Sequence, residues 1–185
     1  DDGDNCYLAR TSAPHGAGDA VWGDLLVDPA NFQAWNGTQW TADLAQAAPA
    51  NHLHASSYGW SMAWNAYALN PETGQAGAYV GVYNEAALQA GQRISTGNIK
   101  LVVAARPEGP WSDPVQAYYM DPNAGDDYFH YDLKQVHDVR LHPELDRDGG
   151  ASIAVTVSAP NPTKYGAWRE SIWAYRFRLQ NAAAR

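Results

Sequence analysis

The chain has 185 residues, 45% of them hydrophobic, and a formal net charge of -8 from 12 Lys and Arg against 20 Asp and Glu. That is ample for one packed domain, while only three Lys and no basic run exclude nucleic acid and anionic membrane as partners, since both need clustered positive charge. Cys6 is the sole cysteine, which excludes an intrachain disulfide, a cysteine-rich zinc site and a Cys-x-x-Cys pair, and no run reaches the roughly 18 apolar residues of a membrane helix.

Taken in chain order, short runs of β-branched and aromatic residues bounded by Gly, Pro, Asn and Asp predict strands. The first is 5–10, "NCYLAR", and 32–40, "FQAWNGTQW", is a second. The segment 42–48, "ADLAQAA", has the Ala-rich character of a helical turn. Strands follow at 60–69, 77–84, 98–106 and 114–120, with 84–92, "NEAALQAGQ", as a second short helical stretch. The last three strands fall at 136–142, 151–158 and 169–179. The turn-rich links "NPETGQ" at 70–75 and "DRDGG" at 146–150 suit antiparallel hairpins. The class is all-β.

The runs suggest a repeated unit. Four consecutive strands make a complete unit over 51–125, three make most of another over 126–185, and 1–50 reads as the end of an earlier one. Strand, Arg, Pro/Gly break, then strand with Trp nearby recurs, most clearly in "IKLVVAARPEGPWSDPVQAYYM" at 99–120. Four-stranded sheets arranged radially make a β-propeller, and about two and a half blades are present here. A sector exposes edges and apolar faces, so either the remaining blades come from upstream sequence or a second chain, which is the favoured expectation, or the units pack as a sandwich. The opening "DDGDNCYLAR" has neither the basic nor the apolar region of a signal peptide and does not begin with Met, which suggests a trimmed product.

"YLARTSAP", "FQAWNGTQWTAD", "SMAWNAYAL" with "GAYVGVYN", "LVVAARPEGPWSDPV" and "VHDVRLHPEL" with "IAVTVSAP" succeed one another along nearly the whole chain. Together they resemble the signatures of a bacterial uncharacterised-domain family of five-bladed β-propellers. That family is related to the arabinanase and xylosidase type of glycoside hydrolase and includes endo-D-arabinanases. The resemblance implies that the chain is the C-terminal half of such a propeller, secreted or at the cell surface, acting on a polysaccharide such as arabinan. It also implies that catalytic carboxylates lie on inner strands of several blades, some outside this chain.

Innermost strands line a propeller's funnel, so 60–69 and 136–142 are where ligand-facing residues are expected. His137, Asp138, Arg140 and His142 crowd one predicted strand. Asp138 is the candidate acid, base or orienter for glycosidic cleavage, tuned by His137, with Arg140 and His130 as substrate contacts. Hydrolysis needs a second carboxyl group about 5–10 Å away, from an absent blade or from Glu144 or Glu108. On the structural alternative, Asp138 and Arg140, two apart on one strand face, form an ion pair, and His142 satisfies backbone groups beside Pro143. Tyr58, Trp60, Trp64 and Asn65 combine stacking rings with an amide suited to sugar hydroxyls, and equally suit packing.

The spacing of His130, His137 and His142 matches no standard metal set, and regular alternation puts His137 and His142 on opposite faces. The family resemblance leaves room for a single cation in the funnel, with His142 as its candidate ligand. The acidic runs at 121–127 and 146–150 do not complete a calcium loop and read as turns. The Glu108–Trp111 turn is read as scaffolding, and Arg10, Arg106 and Arg176 as repeated structural pairing at strand ends. No G-x-S-x-G elbow is present. The competing reading is a non-catalytic propeller that binds glycan or protein in a surface assembly. Two acids across one funnel favour the enzyme, and a funnel plugged by Trp and Tyr favours the binder.

Overall fold

A computed structural model describes residues 5–11, 28–54, 60–89, 92–120, 137–162 and 168–180. The described residues contain twelve strands and short 3-10 turns, and no α-helix. Strands β1 (Asn5–Tyr7) and β5 (Pro49–His54) form a two-stranded sheet. Three meanders, each in chain order, follow it: β2 (Ala9–Thr11), β3 (Phe32–Trp35) and β4 (Trp40–Thr41); β6 (Trp60–Leu69), β7 (Ala76–Gln89), β8 (Gln92–Ala104) and β9 (Val115–Tyr119); and β10 (His137–Leu141), β11 (Ser152–Pro162) and β12 (Trp168–Arg178). Every pairing is antiparallel. The all-β expectation therefore holds, and its nine predicted strands correspond to observed ones.

Three details differ. In the 84–92 stretch, residues 84–89 are the distal part of β7 and Gln92 opens β8, the two strands pairing from Ala86 opposite Ser95 to Gln89 opposite Gln92. An Ala-rich run this short is a marginal helix on its own, and the extended partner satisfies its backbone groups instead. The expected strand at 32–40 splits because Asn36 Oδ1 accepts the amides of Thr38 and Gln39, an Asx turn that brings Trp40 opposite Trp35. At 42–48 the helical character is confined to one 3-10 turn, Leu44–Gln46, capped by Asp43. Strand β5, with its Pro and no clean alternation, gave no signal in the sequence.

Alternation along β7 builds two cores. Ala78, Val80 and Val82 face the last meander and pack with Ile99, Met120, Val139, Ile153, Val155 and Val157, all nearly or wholly buried. Tyr83, from the opposite row, packs with Leu8, Val102, Ala104 and Trp111, flanked by Trp35, Trp40 and Trp60 of the first meander and β6. The middle sheet is thus covered on both faces. Burying an aliphatic side chain of this size contributes about 1.5–3 kcal/mol, so these rows hold the sheets face to face.

Gly81 sits where the second core is tightest. A Cβ there would lie 2.9 Å from Val102 Cγ2 and 3.2 Å from the Trp111 ring. The turn that delivers Trp111 is closed by Gly109 N–H donating to Arg106 O at 3.0 Å, with Gly109 at φ +87° and a cis bond to Pro110. The Glu108–Trp111 phrase is explained by this: it reverses the chain and drops an indole onto Gly81 of β7. Trp111 meets Trp60 edge-on at 6.4 Å.

Candidate functional site

Strand β6 presents Trp60, Met62 and Trp64 on the row opposite Tyr83, Gly81 and Tyr79. Trp60 and Trp64 do share a face, but their surroundings differ. Trp60 is half-buried in the core beside Trp111. Trp64 is 53% exposed, edge-on to Tyr79 at 5.2 Å, with its ring over Gly77. A Cβ at Gly77, where φ is +109°, would fall 2.8 Å from Trp64 Cζ2, so glycine makes room for the ring. The result is a supported indole with a solvent-facing surface.

Asn65, next along the strand, points the other way and is buried. Its Oδ1 accepts the amides of Tyr67 at 3.0 Å and Ala68 at 2.8 Å; its Nδ2 donates to Gly150 O at 2.9 Å and to Asp146 Oδ2 at 3.5 Å. Both lone pairs and both protons are engaged. The amide expected to meet sugar hydroxyls instead ties β6 to the turn before β11.

On β10 the register slips between His137, opposite Ser158, and Arg140, opposite Thr156. Three steps on one strand match two on the other, which is a β-bulge. Asp138 occupies it with φ +51° and is exposed. A non-glycine residue in the left-handed region is uncommon and concentrates at sites held by their surroundings. The bulge also breaks the alternation that put Asp138 and Arg140 on one face and His137 and His142 on opposite faces. The backbone positions of His137, Arg140 and His142 instead oppose Ser158, Thr156 and Ala154, which form one row of β11.

His142 is the hub of that row. Its Nδ1 lies 2.9 Å from Glu144 Oε1 and its Nε2 2.8 Å from Thr156 Oγ1. Its partners are thus a carboxylate and a hydroxyl rather than the backbone groups beside Pro143, and a cation at His142 would have to displace one of them. The Glu144 carboxyl is held below its usual value by its own backbone amide and then by His142. Among the described residues no group of three or more His, Cys, Asp and Glu is placed to hold a metal. Tyr58 and His130 lie outside the described residues, as does the side chain of His137.

A second polar cluster, unmarked in the sequence, lies on the middle sheet. Glu85 Oε2 accepts from Asn98 Nδ2 at 2.7 Å and Thr96 Oγ1 at 3.0 Å, and Oε1 lies 3.4 Å from Lys100 Nζ. Burial pushes the Glu85 carboxyl up, but the bonds from Asn98 and Thr96 and the Lys100 charge outweigh it and leave the group below its usual value. Burial, then the Glu85 charge, push the Tyr83 phenol up.

The three strand-end arginines each find a partner, of a different kind. Arg10 bonds Gln33 Oε1 and lies over Trp40 at 4.5 Å. Arg106 meets Glu72 at 3.7 Å, and Arg176 donates to Leu145 O at 3.1 Å. A cleft of about 650 Å³ opens between Leu101, Val103 and Val115 on one side and Phe177 and Leu179 on the other. It is lined by neither Trp64 nor any residue of β10. Comparison of the chain with protein-family models and with curated proteins gives no match.

Proposed function

We propose that the chain is a sector of a five-bladed β-propeller of the glycoside-hydrolase type that binds a polysaccharide, with arabinan as the first candidate. The observation that carries this reading is Trp64: a 53% exposed indole, braced by Tyr79 and seated on Gly77. An aromatic face held rigid against solvent is the kind of surface on which a sugar ring stacks. Successive meanders packed face to face support the propeller architecture. On this reading the remaining blades come from other polypeptide, the whole acts at the cell surface or in secretion, and Asp138 on its bulge supplies one carboxylate for cleavage. The second carboxylate belongs to the other blades, because Glu144 is engaged by His142 and Glu108 lies in the scaffolding turn.

The test is tryptophan fluorescence and retention on immobilised arabinan. Wild-type protein is expected to bind, W64A to lose binding about tenfold or more, and D138N to bind normally while abolishing any cleavage by the assembled propeller. Wild-type protein that is folded and shows no affinity for arabinan or other polysaccharides would sink the reading.

A further inference from the structure

The geometry points to a second reactive centre on the outer face of the last meander: Thr156 as a nucleophile for acyl esters, activated by His142 and oriented through Glu144. It does not depend on the glycan reading. Three side chains stand in series. Glu144 Oε1 is 2.9 Å from His142 Nδ1, and His142 Nε2 is 2.8 Å from Thr156 Oγ1. An ionised carboxylate only accepts hydrogen bonds, so the proton between the first pair sits on Nδ1. The neutral ring then turns its Nε2 lone pair to the threonine, which donates. This is the tautomer that a general base needs to take a hydroxyl proton.

The surroundings are suited to the step. Thr156 is partly exposed and His142 retains 27% of its side-chain surface. Across the ladder Thr156 lies opposite exposed Arg140 on β10 and Ala174 on β12. Arg140, the ladder partner of Thr156, is thus the candidate cation for the charge that would develop on an ester oxygen. Ala174 leaves the other side open, and Ile172, 74% exposed and opposite Ser158, adds apolar surface for an acyl chain. Of the other charged groups described on this side, Arg176 donates to Leu145 O, Asp146 Oδ1 accepts the Ala154 amide, and Arg178 is exposed opposite Ser152, two ladder positions beyond Arg176.

Thr156 Oγ1 attacks the ester carbonyl carbon, and its proton passes to His142 Nε2. The C–O bond to the alcohol then breaks, and the alcohol leaves with that proton. Water, deprotonated by the same nitrogen, cleaves the acyl-threonine, returns the hydroxyl and releases the carboxylic acid. Thr156 and His142 are the catalytic residues, and Glu144 is a positioning residue.

The experiment treats the whole chain with p-nitrophenyl acetate, follows p-nitrophenolate release, and maps the acetyl group by peptide mass. Wild-type protein is expected to carry acetyl on Thr156. T156V loses that label, T156S keeps it, and H142Q forms it about 100-fold more slowly. E144Q slows acylation of Thr156 about tenfold, and E144D, which keeps a carboxylate, restores much of the rate; a purely structural Glu144 would leave the acylation rate of the folded variants unchanged. Acetyl found on lysines and not on Thr156 in the wild-type protein overturns the proposal, whatever the variants do. Equal labelling of Thr156 in wild type and a folded H142Q overturns it as well.

Discussion

The side-chain amide of Asn65 reaches the carbonyl of Gly150, 85 residues away in sequence, at 2.9 Å. It thereby joins the middle meander to the last.

Removal of that tie is the first prediction. In N65A the amides of Tyr67 and Ala68 lose their acceptor and Gly150 loses its donor. The Ala68 bond is buried and the other two are part-buried, so at about 1–3 kcal/mol for a buried group left without a partner and less for one that reaches water, the variant should lose roughly 2–5 kcal/mol, read as a lower urea midpoint. G150A attacks the same contact from the other side: its Cβ would meet Asn65 Nδ2 at 2.8 Å, at φ +96°. It should cost about 1–3 kcal/mol.

The second core offers a test of crowding against loss. G81A places a methyl 2.9 Å from Val102 Cγ2, and overpacking of this kind costs about 1–3 kcal/mol. W111A empties the same space and should cost about 3–5 kcal/mol. The two sites are in contact, so G81A combined with W111A should cost less than the sum of the single changes. A double mutant that is simply additive, in denaturant titrations, would contradict the packing described.

Glu85 predicts a pH dependence. Its carboxyl is lowered from 4.5 in the folded state, so the folded protein favours the ionised form. Its contribution is present above pH 4.5 and is lost as pH falls through the lower, folded-state value. With 38% of the side chain exposed, that contribution is below about 1 kcal/mol. E85Q should therefore be less stable than wild type at pH 7, with the gap narrowing under acid conditions. A gap that stays constant from pH 7 to strongly acidic solution would refute the assignment.

The bulge at Asp138 separates backbone from charge. D138N and D138V both remove the carboxylate, but valine is branched at Cβ and tolerates φ +51° poorly. D138V should fall about 1–2 kcal/mol below D138N in stability. Equal midpoints for the two would mean that the left-handed conformation is not maintained.

Much of the fold can be read along the chain because its strands alternate apolar and polar residues between turn signals, as in 60–69 and 151–158. The hairpin beyond Asn84 was hidden by its alanines, whose helical tendency is overridden only once β8 lies alongside. The site was less legible still. Parity correctly paired Trp60 with Trp64, but exposure, which separates their roles, depends on the first meander packing over one ring and leaving the other open. The bulge at Asp138 has no local signature, and without it every facing assignment on β10 is reversed for one half of the strand. Thr156 stood out in no motif, since its nearness to His142 exists only through the β10–β11 ladder.

The double covering of the middle sheet has a consequence for the order in which the molecule opens. Amide protons on β7 and β8 around Val80, Val82, Ile99 and Val102 can reach water only when a neighbouring meander lifts away. Hydrogen exchange there should be the slowest among the described strands. Amides of β3, β4 and β12 should exchange earlier, as the outer layers peel from a centre that stays closed until last.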